Sequence, residues 1–282
     1  MNYVNWFCTI AISFAFFGMD ASATPATETK PAAAVLEFPH RSSFPEVSII
    51  TTAELANRFA EVVAVDVRSR YEYDTLRIKD AVNVPVTDKR FVDIVQTLRT
   101  QFAAKPIVFY CNGKTCKKSY DAARLAIQAG VSSVLCFDAG IQEWAQTNPE
   151  RTTLLGRSPI KPSDLISPAR FKGHVLPAVE FEARVGSQSL VLDIRDMAQR
   201  DTMLFPFREE RVPLDKKERL DAVIDRAIAQ NKTLLVYDKA GHQIQWFQYY
   251  LEHKGLKQYY FLKGGSEGYF AATLGARIGL NK

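Results

Sequence analysis

The sequence predicts an α/β fold of two tandem units, each a mainly parallel sheet flanked by helices. Three observations lead there. Short β-branched and aromatic runs alternate with amphipathic stretches, the pattern of βαβ units with helices on both faces of a sheet. At 282 residues the chain is long for one domain and comfortable for two, each able to bury its own core. The third is a repeat. EVVAVDVR, carrying Asp66 and Arg68, returns as SLVLDIR with Asp193 and Arg195, 127 positions later. KPIVFYC, ending at Cys111, returns as KTLLVYD, ending at Asp238, at the same offset, and GVSSVLCFDAGIQEW returns as GLKQYYFLKGGSEGY at an offset of 125. Offsets this steady over three separated strands mean a duplicated fold.

Taken in order, residues 1–23 read as an export signal: 4–19 are almost wholly apolar, and Ala21-Ser22-Ala23 fits a small-residue cleavage pattern. No lysine or arginine precedes the run, so only the α-amino group supplies the positive n-region. The alternative is an N-terminal membrane anchor, although the run is shorter than the ~20 residues of a spanning helix. Once cleaved, the chain keeps no stable membrane span, and the expected location is periplasmic. Residues 24–45, rich in Ala, Thr and Pro, read as a flexible tether. The first unit is expected at 46–150 and the second at 168–282. Between them, 151–167 lacks periodicity and carries Pro159 and Pro162.

The net charge of +5 is spread along the chain. Without a basic stripe or a dedicated motif, nucleic-acid binding is not expected. Cys8 falls in the export signal and is given no role. The remaining Cys111, Cys116 and Cys136 are an odd number, so a disulfide framework is not the design. A disulfide between Cys111 and Cys116, which share one loop, is chemically open. No cysteine and histidine spacing supports a metal or covalent haem, and no cofactor is expected.

The chemistry concentrates at 105–130. A short strand, 107–110, stops at Cys111 and passes through a loop with Gly113 and two lysines into an amphipathic helix over 119–128. Cys111 then faces a helix N-terminus, whose N–H groups and positive dipole end, with Lys114 and Lys117, favour a thiolate. The same field would hold thiosulfate, a persulfide or a phosphate over the sulfur.

These residues resemble the rhodanese family of sulfurtransferases in tandem arrangement. In the first unit the likeness rests on DVRSRYEY (Asp66, Arg68, Glu72, Tyr73), AVNVP at 81–85, the Cys111 loop, and FDAGIQEW ending at Trp144. In the second it rests on LDIR, RVP ending at Pro213, VYDKAGHQ, and FLKGG before Tyr269. The family commonly has Gly-His-Ile before Gly-Ala, where this chain has Leu76-Arg77-Ile78 and then Asp80-Ala81, so the turn is expected to differ. More consequential is Asp238 in place of a second cysteine. A carboxylate cannot accept sulfane sulfur and repels anionic donors, so the second rhodanese-like domain is expected to be silent. Tandem members more often keep the cysteine in their second unit.

The resemblance implies a sulfurtransferase working in two half-reactions. Cys111 takes the outer sulfur of a small anionic donor such as thiosulfate, forms a persulfide, and passes the sulfur to a thiol or protein acceptor. Loop amides from Asn112, Gly113, Lys114, Thr115, Cys116 and Lys117 would stabilise the charge on donor and persulfide. Cys116 is a resolving or relay thiol, or a small residue facing the helix start. Lys114 and Lys117 are anion contacts or a solvated loop face, and Arg68 and Glu72 support the site or form an ion pair that holds the loop. Cys136, mid-strand, reads as a buried structural cysteine. Asp238, His242 and Gln243 read as a degenerate loop or a vestigial pocket. Two other functions stand beside this one. A thiol redox or binding module would use Cys111 and Cys116. A cysteine-dependent phosphatase would need an arginine where Lys117 stands, because a lysine lacks the planar fork that grips a phosphoryl group.

Overall fold

The computed structural model describes residues 37–200 and 202–277. The stretch read as an export signal, with Cys8, and the first part of the expected tether lie outside them. From Glu37 onward the chain forms one compact unit. Its first half contains strands β1 (Val63–Asp66), β2 (Leu76–Ile78), β3 (Val82–Asn83), β4 (Ile107–Tyr110), β5 (Val134–Phe137) and β6 (Thr152–Leu154). Its helices are α1 (Thr52–Asn57), which precedes β1, and α2 (Arg70–Thr75), α3 (Phe91–Gln101), α4 (Lys118–Gln128) and α5 (Gly140–Thr147). The second half contains β7 (Val175–Leu176), β8 (Ser189–Asp193), β9 (Glu209–Arg211), β10 (Thr233–Tyr237) and β11 (Tyr259–Leu262). Its helices are α6 (Pro168–Lys172), α7 (Ala178–Glu182), α8 (Lys217–Ala229), α9 (Ile244–His253) and α10 (Gly265–Arg277).

Each half has a parallel sheet flanked by helices. The first runs β3-β1-β4-β5, with Ile49 bridging Cys136 in parallel on the outer side of β5. The second runs β9-β8-β10-β11-β7. Position by position the two orders coincide, Ile49 standing where β7 stands. Register repeats too: Asp66 lies opposite Asn83 and Tyr110, and Asp193 opposite Arg211 and Tyr237.

The strands are short, apolar and buried on both faces, as expected of a sheet covered by helices on each side. Alternation sorts their side chains. Ile107, Phe109 and Cys111 join Val63 and Val65 on one face, packed beneath Tyr120 and Ala123 of α4. Val108 and Tyr110 join Ala64 on the other face, against Trp144 of α5. The cysteine that ends β4 is therefore directed under α4 by the same alternation that builds the core.

The halves share apolar packing. Trp246 of α9 is buried among the residues of the first half, and Tyr71 and Leu155 pack against the core of the second. The stretch 151–167 opens with β6, paired antiparallel to β2, and the Ile166 N–H donates to the Tyr249 hydroxyl at 3.1 Å. Asp80 takes φ 61, a left-handed conformation that a short polar side chain tolerates, and so makes the turn between β2 and β3 without glycine. The segment read as a tether differs from that expectation from Glu37 on. Phe44 is buried against Tyr120, with ring centroids 5.1 Å apart, and Arg41 forks onto the Asp138 carboxylate at 2.7 and 3.1 Å. An aromatic residue and an arginine facing ready partners outweigh the Ala- and Pro-rich composition around them.

Candidate active site

The loop between β4 and α4 is held from three sides. From α5, the Ile141 N–H donates to the Cys111 carbonyl at 2.9 Å and the Gln142 N–H to the Asn112 carbonyl at 3.4 Å. Gly140, at φ +69, lets that helix start approach. A Cβ there would lie 2.4 Å from the Gly113 nitrogen, so the contact requires glycine. Within the loop, the Cys116 N–H donates to the Gly113 carbonyl at 2.8 Å, and the Thr115 carbonyl accepts from His40 Nε2 at 3.1 Å.

From below comes a chain of polar side chains. Arg68 is fully buried and grips Asp66 through Nε at 2.9 Å and Nη2 at 2.5 Å. Its Nη1 donates to Asn112 Oδ1 at 3.1 Å, and Asn112 Nδ2 donates to Glu72 Oε1 at 3.0 Å. The other oxygen of Glu72 accepts from the Ser69 backbone at 3.0 Å and hydroxyl at 2.8 Å, capping α2. Burial pushes Glu72 up. The Arg68 charge, the Asn112 amide, Lys118 and Ser69 outweigh it and hold the carboxyl below the usual range. Arg68 and Glu72 thus meet at the loop through Asn112, and the ion pair of Arg68 is with Asp66.

The three described cysteines are free thiols. Cys111 has no exposed surface; its S–H donates to the Cys116 carbonyl at 3.3 Å and Sγ lies 3.4 Å from Ser119 Oγ. Burial pushes this thiol well above its ordinary value, and the neighbouring Cys116 adds to the rise against a smaller opposing effect of Ser119. Cys116 is half-buried and moves the other way, down to about 6, chiefly through a hydrogen bond from the Cys111 thiol. Its own burial opposes this, while the Asn112 and Lys118 N–H groups and the Lys118 charge assist. A single S–H serves either the Cys116 carbonyl or the Cys116 sulfur. Burial favours the neutral thiol on Cys111, while the loop donors favour the thiolate on Cys116. Cys136, buried in β5, is pushed up to about 12 by desolvation.

This distribution differs from the expectation that Lys114 and Lys117 stabilise a Cys111 thiolate. Lys114 Nζ pairs with Glu37 at 2.5 Å and Glu143 at 3.2 Å, and Lys117 with Asp121 at 3.5 Å. Their charge is answered by carboxylates that are distant in sequence or on the helix, which no reading of the loop alone supplies. Lys118, the first residue of α4, takes the part instead.

The loop forms one wall of an open cleft of about 920 Å³. Asn112, Gly113, Lys114, Thr115, Cys116 and Lys117 all line it, and Cys111 does not. His242, Gln243 and Gln245 of the second half form part of the facing wall. The corresponding loop there is self-satisfied. Asp238, buried at the end of β10, accepts the Gly241 N–H at 2.5 Å and the Gln243 N–H at 2.6 Å. Desolvation raises this carboxyl in spite of those bonds. Gly265 repeats the role of Gly140: a Cβ there would lie 2.4 Å from the Asp238 carbonyl oxygen. Among the described residues, no group of three or more His, Cys, Asp or Glu could hold a metal ion, and no helix is long and apolar enough to cross a membrane.

Comparison with known proteins places this site within a matched region. Residues 51–147, which hold the Cys111 loop, match the model of the Rhodanese-like domain. An HTH-type transcriptional regulator of Mycobacterium tuberculosis is 37% identical over 97 residues, which are 34% of this chain and 40% of the regulator. The chain thus spans two fifths of the length of the curated relative it matches. Among solved structures, a thiosulfate sulfurtransferase from Pseudomonas aeruginosa is 19% identical with a TM-score of 0.37, covering 80% of this chain and 43% of its own. A human single-domain sulfurtransferase is 23% identical with a TM-score of 0.31, covering 36% of this chain and 98% of its own.

Proposed function

We propose that the protein is a sulfurtransferase that carries a sulfane sulfur as a persulfide on Cys111, between a small anionic donor such as thiosulfate and a thiol or protein acceptor. The observation that carries this reading is the placement of Cys111 at the end of the central strand of a rhodanese-like domain, inside a loop fixed by α5, Asn112 and Arg68. Attack on the outer sulfur of thiosulfate forms the Cys111 persulfide and releases sulfite; attack by the acceptor on the terminal sulfur returns the thiolate. Loop N–H groups would steady the negative charge that moves through the site.

In this reading the second half is a second rhodanese-like domain without activity. Its strand order and its Asp193–Arg195 pair, which repeats the Asp66–Arg68 pair, support common descent of the two halves, and Asp238 fills its own loop in place of a nucleophile. Export is proposed from the apolar N-terminus, and N-terminal sequencing of periplasmic protein checks it: the mature chain should begin after Ala23. Turnover of thiosulfate with cyanide to thiocyanate, lost when Cys111 and Cys116 are both replaced by serine, is the expected activity. Turnover of an aryl phosphate in its place would overturn the assignment. A second reading, a dithiol redox module, is favoured by the Cys111 thiol hydrogen-bonding within its own loop to Cys116. In that case oxidation would remove two hydrogens and no sulfur would be taken up.

A further inference from the structure

We propose that Cys116, and not Cys111, is the thiol that meets the donor, and that Cys111 is the buried site to which the sulfur is then relayed. The inference rests on the sulfur-transfer reading and divides its work between two residues. Cys111 has no exposed surface, lies within the core beneath α4, and is absent from the wall of the cleft. Cys116 is half-buried, lines that cleft, and stands beside Lys118 at the start of α4. A donor entering the cleft therefore reaches the sulfur of Cys116 first. The Cys111 S–H already contacts the Cys116 main chain at 3.3 Å, so passage between the two residues is short.

The steps balance without an added oxidant. The Cys116 thiolate attacks the outer sulfur of thiosulfate; the S–S bond of the donor breaks, sulfite leaves with the electron pair, and Cys116 becomes a persulfide. Cys111, losing its proton, then attacks the terminal sulfur of that persulfide. The Cys116–sulfur bond breaks, Cys111 becomes the persulfide, and the proton passes to the released Cys116 sulfur. The Cys111 thiol first, then the Asn112 and Lys118 N–H groups and the Lys118 charge, favour the thiolate form of Cys116 that begins the cycle, against its own burial. What the burial of Cys111 provides is shelter: a persulfide held under α4 is kept from water and from chance thiols until an acceptor opens the loop.

Rapid-quench peptide mass spectrometry on the wild-type chain mixed with thiosulfate, or with cysteine persulfide, distinguishes the order. The expected result is an extra sulfur on Cys116 at the earliest times and on Cys111 later. In Cys111→Ser the sulfur should stay on Cys116, and in Cys116→Ser and Cys116→Ala loading of Cys111 should be lost, with the melting temperature recorded for each variant to confirm folding. Loading of Cys111 at the wild-type rate in a folded Cys116 variant would overturn the relay while leaving sulfur transfer intact. Formation of a Cys111–Cys116 disulfide with release of sulfide would overturn storage on Cys111. If neither donor adds sulfur to the wild-type chain, the sulfur-transfer reading fails, and the relay with it.

Discussion

At the scale of residues, the two loop thiols are shifted in opposite directions. Cys116 ionises at about 6, against an ordinary 9.0, because the folded loop supplies it with donors that an unfolded chain lacks. A thiol whose folded value is depressed stabilises the fold above its unfolded value and loses that contribution as pH falls through the folded one. The stability difference between wild type and Cys116→Ser should therefore widen from about pH 6 upward and level off near 9, as urea titrations across that range would reveal. Alkylation by iodoacetamide should likewise modify Cys116 at pH 7 while sparing Cys111. Asn112 is the hinge of the polar chain beneath the loop. Asn112→Ala removes its bonds to Arg68 and Glu72 and leaves buried charges underbonded, so turnover should fall at least about tenfold, through loss of positioning, with the protein still folded. The placement of Cys111 at a strand's end, in a loop that opens into a helix, was legible. The partners of Lys114 and Lys117 were not, since Glu37 and Glu143 reach the loop only through tertiary packing. The depressed thiol of Cys116 was equally hidden, because loop proximity in sequence does not orient two sulfurs.

At the scale of elements, strand β4 and helices α4 and α5 act as a clamp around the loop. The strand Ile107–Tyr110 was legible to the residue, and the helix expected over 119–128 begins one residue earlier, at Lys118. Apolar periodicity fixes such elements because both faces of the sheet are covered. Gly140 is the closest point of the clamp. Gly140→Ala places a side chain against the Gly113 backbone at a positive φ, a cost of about 1–3 kcal/mol before the clash is counted. The variant should lower the melting temperature and abolish sulfur uptake together, whereas Gly130→Ala, equally at positive φ but with open space around its Cβ, should lower stability alone. The tether shows where composition misleads. The composition reads as a flexible tether over 24–45, but Phe44 and Arg41 dock on the first half because Tyr120 and Asp138 stand ready to receive them.

At the scale of the whole molecule, the two halves repeat a strand order and then bury part of each other. The matching strand order was legible because Asp66 with Arg68 and Asp193 with Arg195 make the same buried pairs at a fixed offset. The shared packing was not, since an aromatic run on α9 has no sequence mark for which of its residues faces the other half. Trp246 does so, with the Arg68 guanidinium 5.0 Å above its ring. Trp246→Ala should cost about 3–5 kcal/mol and split a single cooperative unfolding transition into two, as calorimetry would record. The cleft also depends on this union, because His242 and Gln243 form part of the wall that faces the Cys116 loop.

The central claim, that a sulfane sulfur is held covalently on this loop, is tested most directly by the intact mass of the purified chain after treatment with thiosulfate. Wild type should gain one sulfur atom that cyanide removes as thiocyanate, and the double variant Cys111→Ser with Cys116→Ser should gain none. A wild-type chain that gains no sulfur and instead loses two hydrogens would contradict the account and assign the loop to redox chemistry.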